Sequence, residues 1–169
     1  MKMRLVCGIL AVLALAACQK SSTQTPAPSA PPPPPYRFTA RLVLTEKAVT
    51  RLKARPETLT VNARYYGLPT AATQGQVDRN GVIALGVAHA SPELAPAPVT
   101  LNGVTYPVSA QLALDLADAP AHALDGVAGG KVLAQLKVTA PRDDLDCTGF
   151  QDYVATAQSR QITLVCDVT

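Results

Sequence analysis

Three carboxylates crowd into four residues at Asp143, Asp144 and Asp146, directly before Cys147, and they are the first place where this chain could hold a cation. Calcium takes oxygen ligands from several carboxylates and carbonyls at once. The run lacks the spaced Asp/Asn positions, the central Gly and the closing Glu of an EF-hand loop, so it reads as a solvated loop and implies no cofactor. Acid and base work would fall to His89 and His122, but general catalysis by histidine needs a nucleophile or a second titratable group within hydrogen-bond reach. Both histidines lie in Ala- and Pro-rich sequence with no Ser or Cys motif beside them. There is no G-x-S-x-G turn, no Gly-rich phosphate loop and no H-E-x-x-H. A non-catalytic protein is therefore the expectation. Two other readings set conditions on the fold: a hydrolase or metal-dependent enzyme would need Asp143, Asp144 or a histidine gathered in one concave site, and a lipid or small-ligand carrier would need an interior cavity.

Arg64 and Tyr66 offer chemistry of another kind. In an alternating segment Tyr65 and Tyr66 point to opposite sides, so one tyrosine joins the core and the other stands beside Arg64 on the outer side. An arginine beside an aromatic ring on a sheet surface suits protein contact, and the same pair also suits plain cross-strand packing.

Where such a patch would work is set by the N-terminal residues. Lys2 and Arg4 supply positive charge, an apolar run extends from Leu5 to Leu15, and Ala16 and Ala17 precede Cys18. Charge, short apolar run and small residues in this order make an export signal. The run is about half of the roughly 20 apolar residues that a membrane-spanning helix needs. Ending on Leu15-Ala16-Ala17-Cys18, the segment resembles the lipobox of bacterial lipoproteins. That resemblance implies a signal peptide over residues 1–17, lipid attached to the Cys18 sulfur, and cleavage just before it. Cys7 would leave with the peptide. Gln19 stands where an aspartate would favour inner-membrane retention, so the resemblance points to the outer membrane, with the domain facing the periplasm. Two or more acyl chains make such attachment effectively permanent, at about 0.8 kcal/mol per buried methylene.

From Gln19 to Pro35 the sequence turns to Ser, Thr, Gln, Ala and Pro and closes on an unbroken proline run at 31–35. Proline fixes φ and has no amide donor, so residues 18–35 read as an anchor plus a polyproline II spacer whose reach is on the order of 50 Å. Tyr36 to Thr169 remains, enough for one domain with its own core. Setting aside Lys2, Arg4 and Lys20 from the fifteen basic residues leaves twelve, against twelve acidic residues that all follow residue 35. The domain is formally neutral with its charges interleaved. It lacks the clustered cations that nucleic acid requires.

Period-two alternation sets the fold class. Tyr36–Leu44 places Tyr36, Phe38, Ala40, Leu42 and Leu44 on one face and Arg37, Thr39 and Arg41 on the other; Thr58–Tyr66 repeats the device. Further strands are expected over 82–87, 99–101, 104–106, 110–116, 131–139 and 161–168. Asn80-Gly81 and Asn102-Gly103 sit where hairpins need positive φ. Thr45 caps a helix in which Ala48, Val49 and Leu52 share a face, Arg51, Lys53 and Arg55 lie near the negative end, and Pro56 ends it. A second helix is expected over Gly149–Ala157, where Phe150, Tyr153, Val154 and Ala157 recur at helical spacing. Cys147 and Cys166, an even pair in an exported chain, are expected to form a disulfide worth roughly 3 kcal/mol in the chain-entropy model. The whole reads as an antiparallel β-sandwich of about seven strands with one or two short helices. Its expected task is that of an accessory module, docking an envelope protein by a sheet surface or an exposed edge strand.

Overall fold

Alternation at the start of the domain has its expected result: Phe38–Leu44 is strand β1, and Phe38, Ala40, Leu42 and Leu44 are all buried on one face. The computed structural model describes residues 36–116 and 121–169, within the second of the two units into which the chain divides, Pro33–Thr169. Cys18, the signal segment and the proline-rich spacer lie outside the described residues. After β1 come α1 (Glu46–Ala54), β2 (Thr60–Pro69), a 3-10 turn at Ala71–Gln76, β3 (Ile83–Ala90), β4 (Val99–Leu101), β5 (Val104–Tyr106) and β6 (Val108–Leu114). Then follow α2 (Ala121–Asp125), β7 (Val127–Thr139), β8 (Leu145–Cys147), β9 (Phe150–Tyr153), α3 (Val154–Ser159) and β10 (Ile162–Val168).

Eight of these strands make two four-stranded sheets, sheet A in the order β6-β1-β10-β8 and sheet B in the order β3-β2-β7-β9. Strands β4 and β5 form a separate hairpin. Every pairing is antiparallel except β1 with β10, which run parallel with Leu42 opposite Leu164. The inner faces meet in one continuous core. Phe38 of sheet A and Tyr65 of sheet B cross it with ring centroids 6.1 Å apart and planes tilted by 59°, an arrangement aromatic pairs favour over a flat stack. The sandwich expected from the alternation is thus present.

Capping explains α1. Thr45 sits in extended geometry and its Oγ1 accepts from the Ala48 amide at 3.2 Å. This satisfies one of the donors a helix start leaves unpaired, and Ala48 is buried in the core. Local signals are overruled in two other places. The segment 149–157, expected as one helix, is split: Phe150–Tyr153 pairs with β7, Leu136 facing Phe150 and Leu133 facing Tyr153, and only Val154–Ser159 is helical. The apolar spacing fits both states, and completing the edge of sheet B decides between them. Asn80-Gly81, expected as a tight hairpin, instead closes an Asp78-centred turn that precedes β3. Asp78 Oδ1 accepts from the amides of Asn80 and Val82, Gly81 bonds back to the Asp78 carbonyl, and of the two only Gly81 has positive φ. Asn102-Gly103 does make the expected hairpin, with φ of 50° and 80° joining β4 to β5.

Candidate functional site

Each sheet has an outer face, and the two differ in cover. On sheet A the segment after β3 folds back. Ala95 exchanges two backbone hydrogen bonds with Ser109, and the β4–β5 hairpin shares a cleft with Thr163 and Val165 of β10. Val43, flanked on that outer face by Ser109 and Val165, is fully buried. The outer face of sheet B has no such cover among the described residues. Its outward side chains are exposed at His89, Lys137, Gln135 and Gln151, and it carries three of the exposed large apolar residues, Leu68, Val87 and Tyr153.

Arg64 and Tyr66, expected as a contact patch, lie at the centre of this face. The Arg64 guanidinium stands 5.5 Å from the Tyr66 ring centroid, within the range of a cation–π contact. Arg64 also pairs with Asp78. The Tyr66 hydroxyl accepts from Gln151 Nε2 at 2.7 Å, tying β2 to β9 across β7. Tyr66 itself is buried, 6% exposed, so it serves as the floor of the patch and Arg64 as its cover. Burial opposes ionisation of Asp78, yet the Asn80 and Val82 amides and Arg64 together hold its carboxyl below the usual range. Tyr65 on the inner side is fully buried. Burial, and then the nearby Asp115 carboxylate, push its hydroxyl well above the ordinary tyrosine range, so it stays neutral.

A bulge shapes the rim of the same face. Pro69 faces Val127 and Gly67 faces Val132, so Ala128–Lys131 on β7 oppose Leu68 alone on β2. Gly129 and Gly130 make this possible, with φ of 61° and 63°, a region that side chains avoid. Gly67 serves by closeness: a Cβ there would meet Val127 Cγ2 at 2.3 Å. The result is a ridge, the Lys131 ammonium 5.9 Å from the Tyr153 ring centroid, with a cavity of about 340 Å³ on one side and one of about 300 Å³ on the other. A Gly-Gly pair inside an alternating run is the sequence signal for such a bulge.

The remaining candidates are dispersed. Asp144 forms a two-pronged pair with Arg51 of α1, which also binds Glu57, whose side chain is 3% exposed. The Arg51 hydrogen bond, against opposition from burial, holds the Asp144 carboxyl below the usual range. Asp146 lies on β8 directly across from Asp167 of β10. Asp167 is in turn held low, first by the Thr45 hydroxyl at 2.6 Å and then by the Val168 amide. No group of three His, Cys, Asp or Glu side chains among the described residues is placed to share a metal. His89 is on β3 in sheet B, its Nδ1 2.6 Å from Asn62 Oδ1; His122 is on α2. No such group among the described residues joins either histidine to Asp143, Asp144 and Asp146. Cys147 and Cys166 face one another across β8 and β10 and are joined by a disulfide. Sequence reading placed Arg51 only near the helix C-terminus; its partner Asp144 lies 93 residues away, a pairing that no local pattern signals.

No protein-family model matches the chain, and no curated protein or solved structure matches it either.

Proposed function

We propose that this protein is an outer-membrane lipoprotein of the bacterial envelope, anchored through Cys18, whose β-sandwich is a non-catalytic interaction module that docks a partner protein on the outer face of sheet B. The observation that carries this reading is the contrast in cover. Sheet A is backed by the 95–106 segment, whereas sheet B leaves Leu68, Val87 and Tyr153 exposed around Arg64 and Tyr66. Apolar and aromatic side chains ringed by amides and cations match the make-up of protein contact surfaces. A face already ordered by its own ladder loses little entropy on binding. The proline-rich spacer would give the module reach from the bilayer.

A photo-crosslinking residue in place of Gln135, in cells, tests the docking face. It is expected to yield one discrete adduct, while the same residue in place of Thr50 on α1 yields none. Absence of an adduct from Gln135, or equal capture from both positions, would overturn the assignment of the face. Mass spectrometry of the mature amino terminus tests the anchor separately: lipid on Cys18 is expected, and an unmodified terminus refutes it.

A further inference from the structure

We infer that the partner presents an acidic, extended segment to sheet B, with an apolar residue of that segment seated against the Lys131–Tyr153 ridge. This inference rests on the docking face proposed above and adds the chemistry of what docks there.

Charge is the first argument. The outward positions of β2, β3, β7 and β9 carry Arg64, Lys131 and Lys137 and no carboxylate. Arg64 is already neutralised by Asp78, but Lys131 and Lys137 have no ion-pair partner among the described residues. In a formally neutral domain this is a local surplus. Elsewhere the charges offset one another: about α1, β8 and β10, Glu57, Asp144 and Asp167 stand among Lys47, Arg51 and Arg142. A negatively charged partner is thus drawn to sheet B.

Spacing is the second. Lys131 and Lys137 both project outward from β7, six residues apart and so about 20 Å apart along the strand. Leu133 and Gln135 project between them. An extended segment of similar length would bring one carboxylate to each lysine and keep its middle over Leu133 and Gln135.

The cavities supply the third. Both are walled by Lys131 and Tyr153, one continuing to Tyr36 and Val154, the other to Leu68 and Leu133. At about 340 and 300 Å³ they lie at the small end of ligand pockets, and their only formal charge is Lys131. Such a recess takes an apolar side chain beside a carboxylate. A membrane surface would make no use of discrete cavities.

The test uses the full-length protein in detergent and fluorescence anisotropy with an extended peptide that has glutamates flanking a central leucine. Its lysine-for-glutamate counterpart and phosphatidylglycerol vesicles are run alongside. The acidic peptide is expected to bind, with affinity falling as salt rises, and the basic peptide to stay free. Lys131→Glu and Lys137→Glu, each at an exposed site, are expected to weaken binding roughly tenfold apiece. Tyr153→Ala is expected to weaken the leucine peptide but not a leucine-to-serine version. Failure of the acidic peptide to bind, equal binding of the basic one, or vesicle binding in its place would each overturn the inference. Failure here with continued capture from Gln135 in cells leaves the docking face standing and removes only the acidic partner. Failure of both removes the face as well.

Discussion

Sheets A and B share one core and differ in what stands behind them. Sheet A is fastened from several directions: the Cys147–Cys166 bridge, Arg51 gripping Asp144 and Glu57, Thr45 bonded to Asp167, and the 95–106 segment across its back. Sheet B has the longest strand among the described residues, the 13-residue β7, yet within them its outer face is left to Arg64, Tyr66 and a row of amides and lysines. The difference teaches that the disulfide and the longest-range ion pairs gather about one sheet, while the exposed apolar side chains Leu68, Val87 and Tyr153 lie on the outer face of the other. On the docking reading proposed above, an uncovered face needs the fold to be held elsewhere, and the disulfide-linked sheet A supplies such a hold.

That division can be broken or sharpened experimentally. The largest effect is expected in the core common to both sheets. Leu164→Ala in β10 and Leu136→Ala in β7 should each cost about 2–5 kcal/mol in denaturant unfolding, both residues being essentially fully buried. One cooperative transition is expected for each variant; a transition in which one sheet melts alone would break the picture of a shared core. Next comes the bridge. Cys147→Ala together with Cys166→Ala should lower stability by roughly 3 kcal/mol, read from the shift in urea midpoint, and should leave capture from Gln135 unchanged.

Acid probes the fastened end more finely. Asp144 and Asp167 are held below their unfolded values, so between the folded value and about pH 4 the unfolded chain binds more protons than the folded one. Their contribution is present above about pH 4 and is lost as pH falls through the folded values. Arg51→Met removes the main cause of the Asp144 depression. The variant should start less stable at neutral pH and lose less on acidification, measured as urea midpoints from about pH 6 downward. The smallest effect is expected on the open face. Gln135→Ala should alter stability by no more than about 0.5 kcal/mol; a larger loss would mean that the face is structural after all.

Much of this division was legible before any coordinates. The alternation at Tyr36–Leu44 and Thr58–Tyr66 gave two central strands because each buries one side only, which leaves period two written in the side chains. Thr45 and Pro56 marked the ends of α1 because a cap and a missing amide act locally. Strands β8 and β9 were not legible. Three or four residues are too few to display a period unless a turn such as Asn102-Gly103 marks them, as it does β4 and β5, and Phe150, Tyr153, Val154 and Ala157 satisfy helical spacing equally well. Their state is decided by β10 and β7, which come from elsewhere in the chain. Of the candidate site, Arg64 and Tyr66 could be placed on one outer face by parity alone. That the face is uncovered depends on where the 95–106 segment folds, and no single strand records that.

The parallel pairing of β1 with β10 has a consequence for how the molecule comes into being. Thr45, just after β1, meets Asp167 in β10 at a sequence separation of 122. Sheet A therefore cannot close around β1 while the ribosome still holds the carboxyl-terminal strand. Contacts this remote slow closure. The Cys147–Cys166 bridge likewise forms only once the last strand is present to pair with β8.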